Sequence, residues 1–306
     1  MKVEKSESFY ISDDNIVTVK ESGNFIKIRT MTSNTVPHIQ KINAEEYIHL
    51  NTGEIKEFNH NNTKRTDNET TLKQTFSNLR DIINTNVINP NLCRFVTLTY
   101  KENMKDTVKL KKDLKKYHQR FSYYCKTNGI IPPEYITVIE PQNRGAWHAH
   151  IIYIFKKKAP FISNEALFKI WGNGFVNIKK VDGVDNVGTY LTAYLTDVAF
   201  DELADIRLLD GVKERDLKVI ETTDKNGNNV SKSYIKGLRL KMYPKGMRIF
   251  RCSKGIKKPN IYKCKYGTII KKLSDAEKTF EKTIALIDEE DTVVNQINYQ
   301  HFKKNC

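Results

Sequence analysis

The stretch that decides the fold runs from Tyr135 to Phe155: Tyr135-Ile-Thr-Val-Ile-Glu140, then Pro141-Gln-Asn-Arg-Gly145, then Ala146-Trp-His-Ala-His-Ile-Ile-Tyr-Ile-Phe155. Two runs rich in β-branched and aromatic residues flank a five-residue connection with turn chemistry, the pattern of two antiparallel strands joined as a hairpin. Upstream, Arg94-Phe-Val-Thr-Leu-Thr-Tyr100 reads as a further strand. Between it and the hairpin, Leu110, Leu114, Tyr117, Phe121 and Tyr124 recur at steps of four and three, which predicts a helix over residues 107–126. Downstream, Ser163 is placed to cap a short helix ending at Trp171, and Gly172-Asn-Gly174 stops it. Phe175 to Val181 is one more strand, and a helix is expected from about Asp185 to Phe200. The resulting string, β-α-β-β-α-β-α, predicts an α+β fold with a ferredoxin-like or RRM-like antiparallel sheet and helices on one face.

Outside this unit the pattern changes. Ile16 to Lys20 and Phe25 to Thr30 flank Glu21-Ser-Gly-Asn24 as a second hairpin, Tyr47 to Leu50 reads as a short strand, and the polar run Asn59 to Thr70 reads as a boundary. Leu72, Phe76, Leu79, Ile82 and Ile83 then predict an amphipathic helix over 71–85. Residues 201–240 read as polar and irregular, with an exposed turn over Asp224 to Asn229. Lys241 to Lys272 holds 11 Lys or Arg, four aromatics and no acid. Ser274 followed by Glu277 has the form of a capping box opening a last helix, which ends in the acidic cluster Asp288 to Asp291. Three segments are therefore expected: a small β-rich extension plus helix over 1–90, a catalytic domain over 91–200 that ends in its active-site helix, and a basic tail over 201–306.

Composition limits the function. The 306 residues carry 51 Lys and Arg against 36 Asp and Glu, a net charge of +15, so an anionic partner is implied and nucleic acid is the commonest. The first 90 residues are close to neutral, and the excess lies downstream. No apolar run approaches the roughly 20 residues of a membrane span. The N-terminus lacks the apolar stretch of a signal peptide, so a cytoplasmic protein without membrane contact is expected. Five scattered cysteines without C-x-x-C spacing encode neither a disulfide framework nor a zinc-thiolate site.

Chemistry concentrates at His148-Ala-His150. Strand alternation puts both imidazoles on one face, near enough to share a metal ion, and Glu140 at the end of the partner strand offers a carboxylate. Two imidazoles and one carboxylate with open positions suit a catalytic Mn²⁺ or Mg²⁺ better than a closed zinc site. The same pair reads equally well as two ordinary strand residues. Tyr190 and Tyr194, one helical turn apart, share a face at the edge of an apolar stripe. Alone they read best as half-buried core residues. A tyrosine becomes a nucleophile only when its pKa near 10 is compensated, as by a metal polarising the attacked phosphate, so tyrosines and metal site make sense together. Within the acid-free stretch, Lys245, Arg248, Arg251, Lys254, Lys257 and Lys258, interleaved with aromatics, suit backbone contacts and base stacking. A solvated face is the alternative there.

Phe95-Val-Thr-Leu-Thr-Tyr100, Gly145-Ala-Trp-His-Ala-His150 and Tyr190-Leu-Thr-Ala-Tyr194 resemble, in order, motifs I, II and III of the HUH endonucleases. The chain is most similar to the rolling-circle replication initiators among plasmid and phage replication-associated proteins, over roughly residues 45–260. The resemblance implies that His148 and His150, with Glu140 as acidic ligand, hold the metal. It implies that Tyr190 and Tyr194 are the alternating nucleophiles of a two-tyrosine initiator. The lysine common three residues after the nucleophile is missing, since those places hold Ala193 and Asp197; Lys179 and Lys180 are candidate substitutes. The implied activity is metal-dependent, site-specific nicking and rejoining of single-stranded or hairpin origin DNA through a 5′-phosphotyrosine, with a host helicase and DNA polymerase as partners. A relaxase or single-strand transposase with the same chemistry, and a non-catalytic RRM-like nucleic-acid-binding protein, are the rival readings.

Overall fold

The computed structural model describes the chain except residues 1, 7–8, 33–38, 51–52, 59–68, 143–144, 182–186, 197, 200–216, 224–228, 236, 245, 289–290 and 305–306. The expected boundary at 59–70 and the turn at 224–229 therefore lie largely outside the described residues. The chain is α+β with antiparallel sheets, and it divides into two units, 1–62 with 259–306, and 63–258. This grouping differs from three consecutive segments: the 71–85 helix falls in the second unit, and the last 48 residues complete the first.

The first unit is built on a six-stranded sheet. Its order is β1 (Lys2–Ser6), β16 (Glu277–Ile287), β17 (Val293–Lys303), β3 (Phe25–Met31), β2 (Ile16–Ser22) and β15 (Asn260–Lys265). The β2–β3 hairpin is the expected one, with Gly23 at φ 61 in its turn. Alternate residues Val17, Val19, Ile26 and Ile28 point inward onto Ile269 and Leu273 from α5 (Tyr266–Lys272) and its end, with Phe302 alongside. A separate small sheet joins β4 (Ile39–Lys41), β5 (Glu46–His49) and β6 (Ile55–Glu57).

The expected last helix is instead the hairpin β16–β17. Ser274 Oγ bonds Asp275 rather than a backbone N–H of a following turn, so no capping box forms. The run Thr279-Phe-Glu-Lys-Thr-Ile284 is strand-prone, and Thr283 and Ala285, two apart, turn inward with period two.

The second unit holds a five-stranded antiparallel sheet. Its order is β10 (Val176–Lys180), β7 (Cys93–Thr99), β9 (Trp147–Ile154), β8 (Glu134–Pro141) and β14 (Phe250–Cys252). Three helices were expected close to where they fall: α1 (Glu69–Asn86), α2 (Thr107–Thr127) and α3 (Asn164–Trp171). Asp106 caps α2 by accepting from Val108 and Lys109 N–H, Ser163 caps α3 by accepting from Ala166 N–H, and Gly172 ends α3 in the left-handed conformation at φ 67. In α2, Phe121 stacks on Tyr153 at 4.3 Å and His118 on Tyr135 at 3.8 Å; Trp171 of α3 meets Tyr117 edge-on at 5.8 Å. These contacts put α2 and α3 on one face of the sheet.

Two expectations on this unit change. The helix expected to Phe200 ends at Thr196 as α4 (Val187–Thr196), because Val198–Ala199 (β11) pairs with Ile235 and Tyr234. The region read as irregular contains β12 (Leu217–Thr223) and β13 (Asn229–Ile235), whose pairing is satisfied across a connection longer than a tight turn. Among the described residues, no helix is long and apolar enough to cross a membrane.

Candidate metal centre

His148 and His150 lie on alternate positions of β9, and the register pairs His148 with Glu140 on β8 and His150 with Thr97 on β7. All three ligand candidates therefore share one sheet face. Tyr135 and Tyr153, which α2 covers, belong to the other face by the same alternation. The face of the histidines is thus left open to a substrate and to the rest of the unit. One ligand atom from each of Glu140, His148 and His150 lies within 4.8 Å of the others. Glu140 and His150 are buried, while His148 is half-exposed and gives the cluster its solvent side.

A carboxylate is costly to bury without compensation. Here Glu140 Oε2 meets His150 Nε2, and Oε1 meets the guanidinium of Arg239, itself buried and donating to Pro141 O at 3.3 Å. Burial alone would raise the Glu140 carboxyl. The hydrogen bond to His150, with the positive charges of His150, Arg239 and His148, outweighs it and holds the group below the ordinary carboxylate range. Glu140 is therefore ionised, as a ligand must be. His150 Nδ1 lies 3.2 Å from Thr97 Oγ1; with Nδ1–H donating to that hydroxyl, Nε2 carries the lone pair toward the cluster. Phe95 stacks on the ring at 5.5 Å and 5° and fixes its plane.

The donor set fits a divalent ion. Two imidazoles and a carboxylate on neighbouring strands supply three ligands and leave the remaining positions to water or substrate. Arg239 and an ion can share Glu140, because the guanidinium engages Oε1 and the imidazole side engages Oε2. Among the described residues this is the one group of His, Cys, Asp and Glu that could hold an ion.

The other sequence candidates separate by position. Tyr190 and Tyr194 are on α4, but their side chains lie outside the described residues. Their helix is fixed on α1: Asn84 Oδ1 accepts from Gly188 N–H at 3.0 Å, and Arg80 Nε donates to Thr192 Oγ1 at 3.3 Å. The 3-10 turn Leu238–Met242 that carries Arg239 also packs against α4. One turn thus touches both the tyrosine helix and the carboxylate.

Lys179 pairs with Phe95 and so shares the histidine face, whereas Lys180 alternates to the opposite one. Lys254, Lys257, Lys258 and Arg248 are exposed; Arg251 pairs with Thr137 and turns to the face of α2. Lys245 lies outside the described residues. Arg239 was not singled out by the sequence. A buried carboxylate calls for a cation, but nothing local marks which of the 51 basic residues, here 99 positions away, supplies it.

Residues 93–199 match the family model for replication-associated protein ORF2. That span runs from β7 through β11 and contains Glu140, His148, His150 and α4, and the match supports a role in replication initiation. No curated protein and no solved structure matches the chain.

Proposed function

We propose that the protein is a rolling-circle replication initiator of the HUH class, which nicks and rejoins single-stranded origin DNA through a covalent tyrosine intermediate. The observation that carries the reading is the convergence of Glu140, His148 and His150 within the span matched to the replication-associated family. The strand order β10-β7-β9-β8, fourth-first-third-second within the unit, supports the ferredoxin-like frame.

A divalent ion, Mn²⁺ or Mg²⁺, held by these three side chains would supply Lewis acidity to the scissile phosphate. Arg239 fixes Glu140, and Thr97 and Phe95 fix the plane and tautomer of His150. A hydroxyl from Tyr190 or Tyr194 attacks phosphorus and loses its proton. The departing 3′-oxygen takes one up, leaving a 5′-phosphotyrosine and a free 3′-OH for a host polymerase to extend. Attack by a 3′-OH on the phosphotyrosine reverses these bonds, so joining needs no ATP.

The test is incubation with single-stranded origin DNA and Mn²⁺, followed by a denaturing gel. A covalent adduct is expected for the native protein and none for the Tyr190→Phe, Tyr194→Phe double variant or for His148→Ala. An adduct that survives in the double variant defeats the tyrosine mechanism.

A further inference from the structure

We infer that the cleft between α1 and residues 248–258 is a second DNA subsite, which takes one unpaired base of a single strand against Phe250 and its flanking phosphates on Arg248, Lys257 and Lys258. This inference rests on the proposed action on single-stranded DNA and specifies where the strand runs beyond the metal centre.

The cleft has a volume of about 440 Å³, within the roughly 300–1,000 Å³ usual for pockets that enclose a small molecule. Ile82, Ile249, Phe250 and Ile256 give it an apolar wall, and Arg248, Lys257 and Lys258 stand at its rim; among the described residues that line it, none is acidic. An apolar slot edged only by cations matches a nucleobase carried between two phosphates. A base pair in a duplex cannot enter, because its flat face is already stacked.

The slot is built, not a gap between loose segments. Asn86 and Lys257 exchange two hydrogen bonds, Asn86 Nδ2 to Lys257 O at 2.8 Å and Lys257 N to Asn86 Oδ1 at 2.9 Å. Glu134 accepts from Gly255 N–H at 3.0 Å, and Ser253 N–H donates to Tyr135 O at 3.0 Å. The register then places the slot relative to the chemistry. Phe250 pairs with Val138, which pairs with His150, so the three form one cross-strand row on one sheet face. Two strand spacings separate Phe250 from His150, about 10 Å. A strand with a phosphate at the metal centre would pass its neighbouring nucleotides over Phe250.

The experiment uses the full chain in EDTA, so that binding is read without metal or nicking. Single-stranded oligonucleotides carrying 5-iododeoxyuridine are irradiated on the protein and the adduct is mapped; in parallel, anisotropy gives Kd for single-stranded and duplex DNA. Cross-linking at the peptide that carries Phe250 is expected. Phe250→Leu should weaken single-strand binding by roughly 5- to 150-fold, the loss of one stacked base, and leave duplex binding unchanged. The exposed-side-chain variant Lys258→Gln should lower the slope of log affinity against log salt by about 0.7, one phosphate contact. An unchanged Kd in folded Phe250→Leu together with an unchanged slope in Lys258→Gln overturns the subsite, as does tighter binding of a free mononucleotide than of the strand. Absence of a tyrosine adduct with these binding effects intact would instead count against the nicking reading alone.

Discussion

Arg239 sets a fixed cation against a carboxylate that would otherwise be buried beside two imidazoles. Removing one partner of a buried ion pair leaves the other uncompensated, at a cost of about 3 to 5 kcal/mol. For Arg239→Gln this cost should appear in full only without metal, because a divalent ion on Glu140 restores the missing charge. The expected outcome is a melting temperature in EDTA well below the native one, and a larger upward shift on adding Mn²⁺ than the native protein shows; an equal or smaller shift would mean that Arg239 and the ion do not share Glu140. A second residue makes a pH prediction away from the metal. His118, stacked on Tyr135 with Nε2 3.0 Å from Thr137 Oγ1, is pushed by burial to about 4 from an ordinary 6.5. Its folded value lies below its unfolded one, so the unfolded chain takes the proton first. Stability is complete above pH 6.5 and falls as pH drops toward 4, by about 2 kcal/mol at pH 5. Urea denaturation of His118→Gln at pH 7 and pH 5 should show a loss between the two that is smaller than the native loss by that amount.

At the scale of elements, the helix carrying Tyr190 and Tyr194 is positioned by a close approach. A Cβ at Gly188 would stand 2.4 Å from Asn84 Oδ1 and 2.7 Å from Arg80 O, and the latter, a backbone atom, cannot move aside cheaply. Gly188→Ala should therefore push α4 off α1 and misplace both tyrosines. Adduct formation is expected to fall by one to two orders of magnitude while Mn²⁺ affinity, set on β8 and β9, stays native; a joint loss of both would show that the substitution unfolds the unit instead. The same elements show what sequence can carry. From β7 to β10, each strand and helix has its own period and its own cap, as Ser163 and Gly172 show for α3, so local residues suffice. The histidine pair with Glu140 was legible because a hairpin makes their register a local matter. Ser274 and Glu277 misled for the opposite reason: a correct local helix signal lost to β17, whose partner β3 lies more than 260 positions away. Arg239 sits on a turn without periodicity, and its partner is set only by the fold.

For the whole molecule, the +15 charge and the two units lead to separate expectations. The sheet of the first unit takes strands from both chain ends, and β17 stands in its interior, paired with β16 on one side and β3 on the other. Deleting residues 277–306 removes both strands between β1 and β3, strips Phe302 from the small core and leaves β3 as a bare edge lined by Ile26 and Ile28. An exposed apolar edge strand is a template for association with other chains. The second unit keeps its own sheet, its own core and the complete Glu140, His148, His150 and Arg239 cluster within 63–258. The fragment 1–276 should therefore aggregate in light scattering, whereas the fragment 63–258 should remain monodisperse and bind Mn²⁺ with native affinity by calorimetry. Aggregation of 63–258, or a monodisperse 1–276, would show that the two units do not fold independently and that the metal centre depends on the sheet the chain ends build.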